Sequence, residues 1–363
     1  MMRLLPDAPL DARTTLRLGG PARWLAEVAD ADDARAAVRF AHQSGLPWAI
    51  LGGGSNTIAA DVGYAGVLLH PTGRRIEATE RADSVWVRAE SGLPWDELVA
   101  FAVRRELAGI AALSGIPGQV GAAPVQNIGA YGEQLADVFV SADVLDCVTG
   151  KLECWDAERA AFAYRDSAWK RGEEGRWLIL AITLKLQPSA FAAARYPDLR
   201  QELLDGGADP DRAPLAALRR AVLTVRRRKG MVCDPEIADS RSAGSFFVNP
   251  EVPLDAARDA ESRLRAAGRL GPDETMPSWP APALADGSER RKLSAAFLIE
   301  RSGFRKGQDG PNPRVGLSRR HVLALVHRGG GSAADLLALA DTITAQVARQ
   351  TGISLHREPR LLG

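Results

Sequence analysis

Between Leu107 and Gly132 the chain runs 26 residues, LAGIAALSGIPGQVGAAPVQNIGAYG, without a single charge, although charged residues make up 25% of the whole. A bilayer-spanning helix needs roughly 20 apolar residues, so a membrane segment is the first alternative to weigh. Six glycines (109, 115, 118, 121, 129 and 132) with Pro117 and Pro124 exclude it, because an interior glycine costs a helix about 1 kcal/mol and a proline about 3. The run therefore reads as a long ordered loop with short helical turns. Glycines this dense let backbone approach a ligand closely and turn amide N–H groups toward it. With no Lys or Arg in the run, an anion bound there would be held by main-chain amides and helix N-termini. A flexible linker is the competing reading. Linkers favour Ser, Pro and charge over Ile110, Ile116, Val120, Val125, Ile128 and Tyr131.

The 363 residues suffice for two or three domains with substantial cores. A net charge of +1 gives no global field to attract nucleic acid or an acidic membrane. Only six of the 46 basic residues are Lys, a compositional skew that weakens Arg226-Arg227-Arg228-Lys229 as a nucleic-acid patch. Cys147, Cys154 and Cys233 form no CxxC and cannot all pair, which fits idle thiols in a reducing cytosol. The start, MMRLLPDAPLDARTT, has no apolar signal core, and five scattered histidines give no metal spacing. The expectation is a monomeric cytoplasmic protein with no metal, nucleic-acid or membrane partner.

Along the chain, Asp30 or Asp32 can cap a helix on Ala34, Ala37, Val38 and Ala41 that closes at Gly45. Pro47–Leu51 reads as a strand running into Gly52-Gly53-Gly54-Ser55-Asn56, a second glycine turn where phosphate sites commonly lie. It is not a G-x-G-x-x-G fingerprint, since Thr57 stands where the third Gly would be. Taken with the long loop, it points to one extended ligand carrying a diphosphate. Val85, Val87 and Ala89 mark a half-buried strand, and Trp95, Leu98, Val99 and Ala102 mark a helix. Val138, Val140, Ala142 and Val144 alternate again, and Trp177–Gln187 puts Leu178, Leu180, Ile182, Leu184 and Leu186 on one face. A Pro- and Asp-rich stretch over 206–214 precedes a basic helix ending near Lys229. Polar turns and prolines dominate 242–313, apart from a short helix around Leu293–Ser302. His321–His327 reads as a strand. Gly329-Gly330-Gly331-Ser332-Ala333-Ala334 after it matches G-x-G-x-x-A but lacks the acidic residue and the chain length a dinucleotide fold requires. Ser332 and Asp335 make a capping box for a helix on Leu336, Leu339, Ala340, Ile343 and Val347.

Three polar islands are candidates for chemistry: Tyr164-Arg165-Asp166-Ser167, the segment Ala243–Pro250 and His356-Arg357-Glu358-Pro359-Arg360. No nucleophile elbow G-x-S-x-G or Ser-His-Asp order supports acyl transfer. The order of motifs is more telling: Thr14–Ala22 (TTLRLGGPA), Gly52–Asn56, Ser114–Gly118 (SGIPG), Gln126–Gly132 (QNIGAYG), Tyr164–Ser167, Gly244–Pro250 (GSFFVNP), Lys292–Glu300 (KLSAAFLIE) and Glu358. With these motifs the chain resembles, over nearly its whole length, the UDP-N-acetylenolpyruvoylglucosamine reductase family, and specifically its longer, type I members.

That resemblance implies an α+β protein: a two-lobed FAD-binding domain of the vanillyl-alcohol-oxidase (PCMH) type with a separate α+β substrate-binding domain. The expected divisions are 1–70 for lobe 1, 71–225 for lobe 2 with a Tyr196 loop, 226–354 for the substrate domain, and 355–363 for a segment returning to the active site. It implies an FAD-containing, NADPH-dependent UDP-N-acetylmuramate dehydrogenase that reduces UDP-N-acetylglucosamine enolpyruvate for peptidoglycan synthesis. FAD is expected to be non-covalent, since neither glycine segment holds His or Cys. The cofactor residues implied are Gly52, Gly53, Gly54, Ser55, Asn56, Pro117, Gly118, Gly121, Asn127, Gly129, Ala130, Tyr131, Gly132 and Arg360. Arg165 and Glu358 would stabilise developing negative charge, Ser245 would supply the proton, and Tyr196, Lys229 and Asn249 would hold the UDP-sugar. Glu300-Arg301 and Glu358-Pro359-Arg360 depart from common family sequences. The rival readings are another FAD oxidase or dehydrogenase of this fold and a flavin-binding protein without catalysis.

Overall fold

The computed structural model describes residues 2–234, 236–283 and 287–363. Strands β1 (Arg3–Pro9) and β2 (Pro21–Val28), helix α1 (Ala31–Gln43) and strands β3 (Trp48–Ile50), β4 (Thr57–Ala59) and β5 (Tyr64–Pro71) build the first lobe. Its sheet has the order β1-β2-β5-β3, antiparallel at β1–β2 and parallel elsewhere. Asp30 accepts from the N–H groups of Asp32 and Asp33 and so starts α1. Ala34, Ala37 and Ala41 are all buried, and side chains this small let the helix lie close on Ala26, Val28, Val67 and Leu69.

The second lobe starts with β6 (Ile76–Glu80), β7 (Val85–Glu90), α2 (Trp95–Arg104) and β8 (Leu107–Ala108). The charge-free run follows. It is irregular, as expected, with single 3-10 turns at Ala111–Leu113 and Val120–Ala122 and a two-residue strand β9 (Gly129–Ala130) paired with β10 (Glu133–Gln134). Then come β11 (Phe139–Asp146), β12 (Leu152–Asp156), the helical turns α3 (Ala157–Ala160) and α4 (Ala168–Arg171), and β13 (Trp177–Pro188). The antiparallel sheet order is β12-β11-β13-β7-β6. β13 departs from the simple alternation expected of it. Register shifts between Asp143 and Val144 of β11, leaving Leu180 of β13 without a partner. Below that bulge Leu178 and Leu180 pack into the first lobe's core, and above it Ile182, Leu184 and Leu186 join the second's. One strand thus fastens the two lobes together. A second shift, between Phe139 and Ser141, buries Phe139 instead of Val140.

β14 (Phe191–Ala192), α5 (Pro197–Asp205), β15 (Ala213–Pro214) and α6 (Leu215–Arg228) form a smaller unit whose core also contains Ala111 of the long loop. The expected boundary at 225/226 falls inside α6, whose Leu215, Leu218, Ala221, Val222 and Val225 all enter that one core.

The C-terminal unit comprises β16 (Glu251–Pro253), α7 (Leu254–Ala266), β17 (Ser278–Ala281), β18 (Arg290–Leu293), α8 (Ala295–Arg301), β19 (Val315–Leu317), β20 (Leu325–His327) and α9 (Ala333–Thr351). Two expectations fail here. The region 242–313 holds a full helix, α7, whose buried stripe of Ala257, Ala260 and Leu264 is too small-sided to stand out among Arg and Asp. Only Leu325–His327 of the expected 321–327 strand is extended. The His321 carbonyl accepts from Ala324 N–H and its Nδ1 from Leu323 N–H, which makes 321–324 a turn. The Ser332–Asp335 capping box on α9 forms as expected. Leu16, Leu18 and Ile58 of the first lobe complete this unit's core. The final strand β21 (Arg360–Leu362) returns to pair parallel with β4.

Candidate active site

The two glycine segments meet face to face. A Cβ on Gly53 would stand 2.8 Å from Gly118 Cα, and one on Gly118, at φ +115°, would stand 2.6 Å from Ser55 Oγ. Backbone against backbone at this distance admits only glycine. The resulting cleft is lined by Gly52–Thr57, by Ile116–Gln119, Gly121–Ala123 and Val125–Gln126, and across from them by Lys170, Gly172–Gly175, Glu358 and Arg360. Its long loop is pinned from behind. Trp95 Nε1 donates to Leu113 O at 3.1 Å, and Gly115 N–H donates to Asp96 Oδ1 at 2.6 Å. Asp96 is held in turn by both Nη atoms of Arg219, at 2.6 and 2.7 Å. Burial pushes the Asp96 carboxyl up, but Arg219 and the Gly115 amide outweigh it and hold it below the usual carboxylate range.

Of the expected cofactor residues, Gly52, Gly53, Gly54, Ser55, Asn56, Pro117, Gly118, Gly121 and Arg360 line the cleft. Asn127, Gly129, Ala130, Tyr131 and Gly132 lie outside its lining. Asn127, 3% exposed, is a staple within the loop: its Oδ1 accepts from Ala136 N–H at 3.0 Å and its Nδ2 donates to Ala163 O at 3.1 Å. Gly129 lies under Arg165, and Tyr131 packs edge-on against Tyr196 with ring centroids 5.9 Å apart. Gln119, Gln126, Lys170 and Glu174 line the cleft too; Gln126 opens the QNIGAYG motif, whereas no motif flagged the other three as site residues. Among the described residues lining the cleft there is no His or Cys, and no cluster of metal-ligating side chains occurs among the described residues.

Arg165, Ser245 and Glu358, far apart in sequence, are brought together around Glu358, which alone of the three lines the cleft. Glu358 N–H donates to Phe246 O at 2.9 Å and Val248 N–H to His356 O at 3.1 Å, which stitches the C-terminal segment to the turn carrying Ser245. Phe246 and Phe247 are fully buried and anchor that turn. Ser245 itself is half-buried. Arg165 Nε stands 3.7 Å from Glu358 Oε1, while its Nη2 donates to Gly129 O at 2.6 Å and its Nη1 to Asn127 O at 3.3 Å. Lys170 Nζ donates to the Arg165 carbonyl at 2.7 Å. Arg165 and Tyr131 have left-handed backbone, at φ +53° and +52°, a strained conformation for such residues that tends to cluster at functional sites, and Asn127, a residue that tolerates this region, stands at φ +41°.

Tyr196 and Lys229 come together through Asp198, which pairs with the Lys229 ammonium. Tyr196 is 50% exposed and immediately precedes α5. Asn249 Oδ1 accepts from Ala295 N–H at 2.9 Å and the residue also hydrogen-bonds Tyr164, so its amide sits between α8 and the Arg165 segment. The two departures are local. Arg301 pairs with Glu274 and stacks on Phe297, away from the cleft. Pro359 falls between two used donors, Glu358 N–H and Arg360 N–H, the latter on Asn56 O at 3.0 Å, so its missing N–H deprives no acceptor among them.

A family model described as an FAD binding domain matches residues 22–154. Another, described as the UDP-N-acetylenolpyruvoylglucosamine reductase C-terminal domain, matches residues 234–362. The UDP-N-acetylenolpyruvoylglucosamine reductase of Thermobifida fusca is 45% identical over 359 residues, covering 98% of this chain and 97% of the relative. That of Saccharopolyspora erythraea is 43% identical over 356 residues, covering 97% and 94%. Among solved structures, UDP-N-acetylenolpyruvylglucosamine reductase from Thermus caldophilus superposes with a TM-score of 0.63 at 23% identity over all of both chains, a likeness of fold. The glycine cradle is the kind of backbone surface a flavin nucleotide's diphosphate requires, and with these relationships the chain belongs to the UDP-N-acetylenolpyruvoylglucosamine reductase family of FAD-containing oxidoreductases.

Proposed function

We propose that this enzyme reduces the enolpyruvyl ether of UDP-N-acetylglucosamine to UDP-N-acetylmuramate with NADPH as reductant, and that Arg165, Glu358 and Ser245 carry the second half of the reaction. The observation that carries this reading is that the Arg165–Glu358 pair and the turn holding Ser245 come together at Glu358, which lines the glycine-walled cleft. Gly52–Asn56 and Pro117–Gly121 would hold the diphosphate of FAD through main-chain amides, with Arg360 at the rim. FAD held there and reduced by NADPH would supply the hydride for the outer enolpyruvyl carbon. Negative charge then develops on the inner carbon and its carboxylate, where preorganised donors contribute most. Arg165, held by two carbonyls of the loop, can offer its remaining N–H groups to that carboxylate. Burial raises the carboxyl of Glu358 beside it above the ordinary range despite the charges of Arg165 and Lys170, and in its protonated form it too would donate. The Ser245 hydroxyl delivers a proton to the inner carbon, which completes the addition of one hydride and one proton. Lys229 and Asn249 would receive the substrate diphosphate, and Tyr196 would close over the nucleotide.

Purified protein should be yellow, release its flavin on acid precipitation, bleach with NADPH and recover colour with UDP-N-acetylglucosamine enolpyruvate. Ser245→Ala should keep flavin content and bleaching while slowing recovery by about 10²–10⁴-fold, the usual weight of a positioned proton donor. Reoxidation at the parent rate, with normal product, would remove Ser245 from the mechanism.

A further inference from the structure

Two residues lining the cleft carry a buried polar atom with no partner among the described residues, Gln119 at Oε1 and Trp169 at Nε1, and only the first is an acceptor beside the glycine cradle. Gln119 follows the cradle glycine Gly118, and its side-chain amide is fixed by two carbonyls on either side. Nε2 donates to Pro71 O and to Gly92 O, both at 3.2 Å. Two acceptors on one nitrogen leave no freedom to exchange the ends of the amide, so the oxygen is committed to the other direction. Oε1 is buried and has no hydrogen-bond partner among the described residues. It lies 3.7 Å from where a side chain on Gly52 would begin, and both Gly52 and Gln119 line the cleft. A buried acceptor with nothing to accept is destabilising, so such a group calls for a partner from outside the chain, a ligand or an ordered water.

We propose that Gln119 is a cofactor ligand that accepts a hydrogen bond from a sugar hydroxyl of FAD. The proposal rests on FAD occupying this cleft. The oxygen can only accept, which excludes the phosphates and the carbonyl edge of the flavin as partners. It sits next to Gly53 and Gly118, whose close approach forms the diphosphate cradle. The hydroxyl donors that flank a flavin nucleotide's diphosphate are those of the ribityl chain on one side and the adenosine ribose on the other. Both offer the same chemistry to Gln119.

The test measures dissociation constants by flavin fluorescence as apoprotein is titrated with FAD and with two analogues, one deoxygenated on the ribityl chain and one on the adenosine ribose. Gln119→Met, which fills the same length without an acceptor, should weaken FAD binding by about fivefold to a hundredfold. The same substitution should cost nothing further on the analogue that lacks the partner hydroxyl, and which analogue behaves so identifies the sugar. An undiminished FAD affinity in the variant, or an equal penalty on FAD and both analogues, overturns the assignment. Should Gln119→Met fail to fold, the parent protein decides: it must bind one analogue less tightly than FAD, and equal affinity for all three overturns the proposal. If the parent binds no FAD at all, the occupancy of the cleft fails first, an outcome distinct from either of these.

Discussion

The Glu358 side chain is only 12% exposed, with Arg165 Nε 3.7 Å away, and so stands between opposing influences. Burial pushes it above the ordinary carboxylate range, and the charges of Arg165 and Lys170 pull it back without cancelling that effect. Between its unfolded and its higher folded value, the native protein holds this proton more tightly than the unfolded chain does. Stability therefore falls as pH rises through that interval and levels off above it. Glu358→Gln, which stays neutral throughout, should be more stable than the parent at neutral pH and lose that advantage once pH falls below the ordinary carboxylate range. Urea midpoints across the acid-to-neutral range measure this, and an advantage undiminished in acid would contradict it. Arg165 is constrained just as closely. Its two Nη atoms are already on Asn127 O and Gly129 O, so it shapes the long loop besides the role proposed for it. A single ammonium could not span both carbonyls.

Among the elements, the two glycine segments do what neither helix nor strand could, since their contact is main chain on main chain. The expected clash at Gly53 is with Gly118 Cα at 2.8 Å and Gln119 N at 3.1 Å, atoms that cannot rotate aside. Gly53→Ala should therefore yield folded but largely colourless protein, with FAD affinity down at least about tenfold, as expected when backbone is driven out of register with its ligand; absorbance of the purified variant near the flavin band checks it. Gly118→Ala meets only the movable Ser55 Oγ but adds the strain of φ +115°. This much was legible in sequence, because glycine runs without charge have few other uses. The strand bulge at Leu180 was not, since an alternating pattern says nothing about where one extra residue slips between two cores. Helix α7 was missed because alanines make its buried stripe. Asn127 was placed on the ligand by its motif, whereas its amide is consumed by Ala136 and Ala163. A motif gives the neighbourhood of a residue and not the direction of its side chain. Gln119 shows the reverse: no motif marks it, and only the two carbonyls on its nitrogen reveal where its oxygen points.

At the scale of the whole molecule, the first lobe and the C-terminal unit are held together by a few long-range ties. Asp61 of the first lobe accepts from Ala333 N–H and Ala334 N–H at 2.7 and 3.0 Å, so it supports the start of α9 in the C-terminal unit. His327, buried in that unit, is bonded through Nδ1 to Leu16 O at 3.1 Å and through Nε2 to Gly331 N–H at 3.1 Å. The last strand, β21, makes the tie that matters most to the chemistry. Ala60 N–H donates to Leu362 O at 2.8 Å, Arg360 N–H to Asn56 O at 3.0 Å, and Asn56 Nδ2 to Glu358 O at 3.2 Å. Leu362, 2% exposed, is the apolar anchor of this run, packed among Leu10, Leu25, Ala59 and Leu68. It touches none of the groups assigned to catalysis, yet the position of Glu358 depends on the strand it secures. Leu362→Ala should cost about 2–5 kcal/mol of stability by leaving a cavity. The loss should not be spread evenly. In the parent, flavin release and loss of secondary structure should coincide along a urea titration, because cleft and core share the same ties. In Leu362→Ala, flavin should leave at lower urea than the sheets unfold, since the strand that closes the cleft has been loosened while the cores beneath it remain. Parallel measurement of flavin fluorescence and circular dichroism distinguishes the two cases. Coincident curves in the variant would mean that β21 belongs to the first lobe's core alone and has no separate hold on the site.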